Sequence, residues 1–122
     1  MILVIGGSNQ GKLLYTMSKW GISPEQVATT FENAENALVF NHFQQAVQKS
    51  LESGEDLVEK LEYLMKRNPQ LIFLCDEVGC GVVPMDREER IWRETVGRLC
   101  CLLAERSEQV YRVFCGIPMR LK

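Results

Sequence analysis

Hydrophobic residues occur along the chain in two alternating arrangements, as short continuous runs and as longer segments with helical spacing. The continuous runs predict strands, because an unbroken apolar stretch of this length suits a strand that is buried on both faces. In chain order the predicted strands are Ile2–Ile5, a short strand around Val27, Ala37–Phe40, Leu71–Cys75 and Val110–Cys115.

Helical spacing of apolar residues predicts four helices, and each lies between two of these strands. In the first helix Leu14 is expected to face inward, and Gly21 is expected to end the helix. Asp86 is expected to cap the last helix, with Glu89 completing a capping box. The predicted helices are Lys12–Trp20, Phe43–Leu51, Glu55–Arg67 and a long helix after Asp86.

Strands that alternate with helices predict a single α/β domain over residues 1–122, with three layers and a mainly parallel sheet flanked by helices. Residues 33–36 are predicted to be a loop, and Gly116–Pro118 a turn before a short end. Ligands of such sheets bind at the carboxyl ends of the strands. We therefore expect four segments to converge there, namely the loop after Ile5, Asn41-His42, Asp76-Glu77 and Gly116.

The segment after the first strand has the spacing of a phosphate-binding loop. Its glycines let several backbone N–H groups approach one phosphate, and the helix that follows adds the positive end of its dipole. The motif predicts nucleotide or phosphate binding, and the alternative is a glycine-rich turn that binds nothing. Lys12 would reach the outer phosphates, but Leu13 stands where a Ser or Thr hydroxyl usually holds Mg²⁺. The loop residues are Gly6, Gly7, Ser8, Asn9, Gln10, Gly11, Lys12 and Leu13.

Composition changes this picture little, and it excludes several classes of protein. The formal net charge of -2 predicts no general attraction to nucleic acid or to an anionic membrane. No apolar run has the length of a membrane span or of a signal peptide, so we expect a cytoplasmic protein. With an odd count of 5 cysteines and 1 histidine, a zinc site or a disulfide scaffold is not expected.

Most of the cysteines lie in apolar runs, where they are expected to be small core residues. Cys80 lies between two glycines, and a reactive thiol there is an open alternative.

The stretch Asp76-Glu77-Val78-Gly79-Cys80-Gly81-Val82-Val83-Pro84, followed by spaced arginines and Gly97-Arg98, resembles one enzyme family. It is similar to the bifunctional adenosylcobinamide kinase / adenosylcobinamide-phosphate guanylyltransferases of cobalamin biosynthesis. The opening strand and glycine loop are also similar to that family, and so is Cys115-Gly116-Ile117 with the basic end. The similarity covers roughly residues 1–20 and 71–122, and it is weaker over 37–67.

This resemblance implies a phosphate-loop nucleotide-binding fold that uses GTP or ATP with Mg²⁺ and a corrinoid (cobinamide) substrate. It also implies a kinase and nucleotidyltransferase activity that passes GMP through a histidine, and assembly as a homo-oligomer, commonly a trimer. By position, the triphosphate would be bound by Gly6, Gly7, Gly11 and Lys12, and the nearby glycine loop would include Glu77, Gly79 and Gly81. Arg93 and Arg98 would orient that loop or contact an anionic group.

The chain departs from the family pattern where catalysis depends on it. Leu13 replaces the metal-binding Ser, and Asn41 stands where an acidic residue is expected. Only a few residues separate Thr30 from Ala37, where the family has a long insertion with its nucleotide-accepting histidine, and we do not equate His42 with that residue. Because phosphoryl transfer relies on metal and positioned charge, these losses predict weakened or lost catalysis.

Three hypotheses remain at this stage. In the first, the chain is a shortened family member, in which Lys12 and Glu77 act in catalysis and Asp76 or Glu77 replaces the metal ligand or acts as a base. In the second, the chain is a non-catalytic relative that binds nucleotide or corrinoid as a regulator or an assembly subunit. The weakest hypothesis is an unrelated phosphate-loop protein, in which the 77–84 loop would lie far from Lys12.

Overall fold

A mainly parallel sheet with helices on both faces is the framework of this protein, whose computed structural model describes residues 1–79 and 81–122. The elements in chain order are β1 Ile2–Gly6, α1 Lys12–Trp20, a 3-10 turn Pro24–Gln26, β2 Val27–Ala28, α2 Phe31–Ala34, β3 Val39–Phe40, α3 Phe43–Glu52, α4 Leu57–Arg67, β4 Ile72–Asp76, α5 Arg87–Arg106, β5 Gln109–Phe114 and β6 Ile117–Arg120.

The sheet order among the described strands is β2-β3-β4-β1-β5-β6, and only the β5–β6 pair is antiparallel. β1 therefore lies in the middle, paired with β4 on one side and β5 on the other. The register pairs Gly6 with Asp76, so the carboxyl ends of β1 and β4 are adjacent. The prediction of an α/β fold with three layers is confirmed.

The two faces of the sheet have separate cores, because successive strand residues point to opposite faces. Leu3 and Phe73 pack against residues of α2, α3, α4 and α5, whereas Val4 and Leu74 pack against α1. Phe73 is fully buried, and burying such a side chain contributes about 1.5–3 kcal/mol. These two cores hold the carboxyl edge of the sheet in place.

The ends of the helices follow the local chemistry of the sequence. Gly21 ends α1 in a left-handed conformation, with its N–H donating to the Met17 carbonyl. Asp86 caps α5 as predicted, although its carboxylate accepts from the N–H of Glu88 at 3.0 Å and not from that of Glu89.

Two local predictions are wrong, and tertiary packing explains both. Leu14 is 76% exposed, because α1 covers the sheet with Leu13 and Met17 on its other side. The predicted loop at 33–36 is wrong at Asn33 and Ala34, which belong to the short helix α2. Phe31 of this helix is buried among other aromatic rings, and the Thr30 hydroxyl caps its N-terminus.

The predicted turn at Gly116–Pro118 is also wrong, because Ile117 and Pro118 belong to strand β6. The turn lies at Cys115 and Gly116, which have φ values of 51° and 75°. Two consecutive residues with positive φ are typical of a two-residue hairpin, whose twist matches that of the flanking strands. Among the described residues, no helix combines the length and apolar character that crossing a membrane requires.

Candidate phosphate-binding site

The carboxyl edge of the sheet brings together the loop after β1 and the acidic residues after β4. The N–H of Glu77 donates to the Gly6 carbonyl at 2.9 Å. The start of the 77–84 loop is therefore adjacent to the phosphate-loop motif, which does not favour the hypothesis of an unrelated protein.

The loop itself is tightly constrained at its base. A Cβ added at Gly6 would lie 2.5 Å from the Val113 carbonyl oxygen, so a side chain at this position requires a backbone shift. Gly11, with φ of 90°, precedes α1 directly. Within residues 1–79 and 81–122, no hydrogen bond to a protein acceptor is found for the N–H groups of Ser8, Asn9 and Gly11. These donors and the N-terminus of α1 suit an anion.

Lys12 is buried beneath this loop with only 7% of its surface exposed. Its ammonium donates to the Gly7 carbonyl at 2.8 Å and pairs with the Asp76 carboxylate at 2.7 Å. A buried cation is stable only when it is paired and hydrogen-bonded. Asp76, which we considered as a metal ligand, thus neutralises the lysine that was predicted to bind phosphate.

Glu77 makes a second ion pair at this edge, with Arg112 of β5. The guanidinium donates to both carboxylate oxygens, at 2.8 and 3.1 Å. Arg93 of α5 donates instead to the Val82 carbonyl, at 2.7 Å. That contact agrees with the predicted role of Arg93 in orienting the glycine-containing loop.

The rest of this second loop is exposed. Gly79, Gly81, Val82 and Val83 are all open to solvent, and Cys80 lies outside the described residues. Arg98 pairs with Glu94 of its own helix, and no hydrogen bond or ion pair joins it to this loop among the described residues. The predicted alternative, in which Arg98 contacts an anionic group, stays a prediction.

The hairpin turn between β5 and β6 forms the third part of the site, and it was only partly anticipated. Gly116 was expected near the site, but its partner was not. The Gln10 carbonyl accepts from the N–H of Gly116 at 2.8 Å, and the Gln10 side chain accepts from the N–H of Cys115 at 2.7 Å. These two hydrogen bonds hold the phosphate loop against the hairpin turn at Gln10.

Gln44 is a site residue that sequence reasoning missed. It is buried in α3, and its side-chain oxygen accepts from the N–H of Asp76 at 3.0 Å. The backbone carbonyl of Gln44 accepts from the Trp92 indole N–H at 2.7 Å. A polar residue at an otherwise buried helical position was the available signal. His42 begins the same helix, and its exposed side chain makes no capping hydrogen bond.

The residues present fit a phosphate better than they fit a metal ion. Leu13 of α1 packs against the core, and the Thr16 hydroxyl, one turn further along the helix, donates to the Lys12 carbonyl at 2.8 Å. Two carboxylates, Asp76 and Glu77, remain as oxygen ligands for Mg²⁺. Among the described residues, no group of three or more His, Cys, Asp and Glu could hold a metal ion.

The cysteines are more varied than the expected set of core residues. Cys75 is buried with its sulfur 3.6 Å from that of Cys100, whereas Cys101 and Cys115 are exposed. The contact with the Cys100 thiol, together with burial, raises the pKa of Cys75 far above its usual range. The protonated thiol is therefore the favoured form of Cys75.

A family model described as cobinamide kinase / cobinamide phosphate guanyltransferase matches residues 28–121. The chain belongs to this family. The resemblance predicted from the 76–84 stretch is therefore confirmed, although residues 1–27, with the phosphate-loop motif, lie before the matched segment. Family membership connects the chain with cobalamin biosynthesis.

A curated relative supports the same assignment. The bifunctional adenosylcobalamin biosynthesis protein CobU of Salmonella typhimurium is 32% identical over 69 residues. The alignment covers 56% of this chain and 38% of that protein, so the chain matches well under two thirds of its relative.

Proposed function

We propose that this protein binds the triphosphate of GTP or ATP at the Gly6–Lys12 loop and acts in cobalamin biosynthesis. The observation that carries the proposal is the loop geometry, in which N–H groups without protein acceptors lie beside a buried lysine. Each N–H that donates to a charged phosphate oxygen contributes about 1.5–3 kcal/mol. Lys12 would exchange its bond to the Gly7 carbonyl for one to a phosphate oxygen.

The same site would serve a kinase that acts on a corrinoid substrate such as cobinamide. Lys12 would stabilise negative charge on the transferred phosphoryl group, and Glu77 would accept the proton of the attacking hydroxyl. Asp76 would hold Mg²⁺, which neutralises phosphate charge when it is bound. Both carboxylates would first have to leave their partners Lys12 and Arg112.

A non-catalytic nucleotide- or corrinoid-binding relative is the second candidate, and a specific observation favours it. Leu13 is packed against the core, while Asp76 and Glu77 are each already paired with a cation. A chain in this state can hold a triphosphate without the metal chemistry that transfer needs. It would then act as a regulator or as a subunit of an assembly.

Calorimetric titration tests the binding proposal. We expect GTP or ATP to bind the unmodified protein with micromolar affinity and Lys12→Ala to weaken binding at least tenfold, about 1.4 kcal/mol. Lys49→Ala, at an exposed position in α3, is the matched control and should bind as the unmodified protein does. Circular dichroism checks that Lys12→Ala is folded, and no binding by the folded unmodified protein would contradict the proposal.

Mg²⁺ and an acceptor separate the two candidates. Binding that strengthens with Mg²⁺, followed by phosphorylation of added cobinamide, supports the enzyme. Binding that is indifferent to Mg²⁺, with no turnover of GTP or ATP, supports the non-catalytic relative.

A further inference from the structure

Two thiols from different elements lie in contact on one face of the sheet. The sulfur of Cys75, in β4, is 3.6 Å from the sulfur of Cys100, in α5. Cys75 belongs to the core between the sheet and helices α2 to α5, and Cys100 packs against that core. A disulfide places its sulfurs about 2.0 Å apart. A modest change in the two side-chain torsions therefore brings these thiols to bonding distance.

The packing around the two cysteines keeps their sulfurs close together. Phe73 of β4 and Val96, Leu99 and Leu103 of α5 are buried in the same core. Close-packed core residues of this kind leave little room for the strand and the helix to move relative to each other. Much of the entropy cost of bringing the two thiols together is therefore met by folding.

The two thiols differ in their access to solvent, and this difference sets the order in which they react. Cys75 is 0% exposed, whereas Cys100 is only partly buried. The contact with the Cys75 thiol lowers the pKa of Cys100, although burial opposes this effect. Because the thiolate is the attacking form in thiol–disulfide exchange, Cys100 is the residue that meets a reagent from solution.

We propose that Cys75 and Cys100 form a reversible disulfide by exchange with a low-molecular-weight disulfide such as oxidised glutathione. The Cys100 sulfur attacks one sulfur of the reagent, the S–S bond of the reagent breaks, and one glutathione leaves. The Cys75 sulfur then attacks Cys100, the mixed disulfide breaks, and the second glutathione leaves. The protein pair is oxidised by two electrons, the reagent is reduced to two thiols, and these take up the two protons that the cysteines lose.

The new bond would join β4 to α5 beside the candidate phosphate-binding site. The two cysteines are separated by 25 positions, and the segment between them carries the exposed 77–84 loop. Cys75 directly precedes Asp76, the partner of Lys12. A cross-link of this length stabilises a folded protein, because it restricts the unfolded chain.

The test uses the whole chain with thiols at this pair alone, in the variant Cys80→Ser/Cys101→Ser/Cys115→Ser. The folded variant is incubated with oxidised glutathione, and its free thiols and its mass are measured. We expect both thiols to be lost, the mass to fall by two hydrogen atoms, and dithiothreitol to restore the thiols. The oxidised form should melt about 5 °C or more above the reduced form.

Two further substitutions in this background test the separate roles of the cysteines. With Cys75→Ala added, Cys100 should keep one glutathione as a stable mixed disulfide, because no second thiol is there to displace it. With Cys100→Ala added, Cys75 should remain a free thiol, because it is buried. Circular dichroism checks that each variant is folded, and each of the two comparisons stands without the other. Uptake of glutathione by the exposed Cys115 of the unmodified protein is the positive control for the reagent.

Three results would overturn the inference. The first is retention of both thiols by the folded triple variant under conditions in which Cys115 of the unmodified protein takes up glutathione. The second is a disulfide that joins two chains instead of closing within one, which a non-reducing gel detects. The third is an oxidised variant that melts no higher than its reduced form. None of these measurements depends on nucleotide binding, so they leave the proposed function untouched.

Discussion

The two glycine-containing loops at the carboxyl edge of the sheet are held in opposite ways. The 6–12 loop is pressed against β5 at Gly6, fastened to the hairpin turn through Gln10, and covers a buried lysine. The 77–84 loop starts beside it but is open to solvent at Val82 and Val83, where Arg93 donates to its backbone. One loop is preorganised, and the other is only tethered.

The ion pairs at this edge show the same contrast, and the cations account for it. The carboxylates are similarly covered, with side-chain exposures of 23% for Asp76 and 20% for Glu77. Their partners differ, since the Lys12 side chain is 8% exposed and that of Arg112 is 48% exposed. Water can therefore solvate the Arg112 guanidinium when its carboxylate is removed, whereas the Lys12 ammonium has little access to water. A fixed loop with a buried cation is the part of the site that suits charge recognition.

Exchanging a glycine for alanine in each loop should give the largest contrast. Gly6→Ala places a Cβ 2.5 Å from the Val113 carbonyl oxygen, so we expect a loss of about 2–3 kcal/mol in the free energy of unfolding. A Cβ at Gly79 would meet no atom within 4 Å, and Gly79→Ala should change stability by less than about 0.5 kcal/mol. Urea unfolding measures both, and equal losses would mean that the first loop is no more constrained than the second.

Removing each carboxylate should give the next largest difference. Asp76→Ala leaves the buried Lys12 ammonium without its carboxylate, and we expect a loss of about 2 kcal/mol in unfolding free energy. Glu77→Ala leaves Arg112, which is half exposed, and should cost less than about 1 kcal/mol. The double variants Lys12→Met/Asp76→Ala and Arg112→Met/Glu77→Ala complete the two thermodynamic cycles. A larger coupling energy in the Glu77 cycle would contradict the assignment of the buried pair.

The smallest effect should follow from untying the second loop. Arg93→Ala removes the donor to the Val82 carbonyl, and we expect severalfold faster amide hydrogen exchange over residues 81–83 with little change in global stability. Arg98→Ala is the control, because Arg98 pairs with Glu94 on the exposed face of α5. Exchange in Arg93→Ala that matches the control would show that this contact does not hold the loop.

The parts of the fold that were predicted correctly are those for which a local sequence pattern is sufficient. The apolar run of β1, the stripe of α4 and the glycine at the end of α1 each led to the correct element. Two predictions were wrong, that Leu14 faces inward and that the turn at Gly116 extends to Pro118. The first depends on which side of α1 meets the sheet, and the second on pairing with β5. Helical period alone does not say which side is covered when the apolar positions surround the helix.

The candidate site divides in the same way. Its components, the glycine loop, Lys12, Asp76 and Glu77, were found from motif spacing and from their positions at strand ends. Their pairing was not, since Glu77 and Arg112 are separated by 35 positions, and Gln10 and Cys115 by 105 positions. Gln44 was missed because no motif marks a residue that acts through a backbone N–H of another strand.

The sequence by itself determined the order of strands and helices, the phosphate-loop motif and the resemblance to the cobinamide kinase family, because these are properties of neighbouring residues. The tertiary structure alone decided which cation each carboxylate meets and which turn contacts the phosphate loop. These contacts depend on strand order, in which β1 lies between β4 and β5. Parallel pairing of distant segments brings those residues to one edge, and no local pattern encodes it.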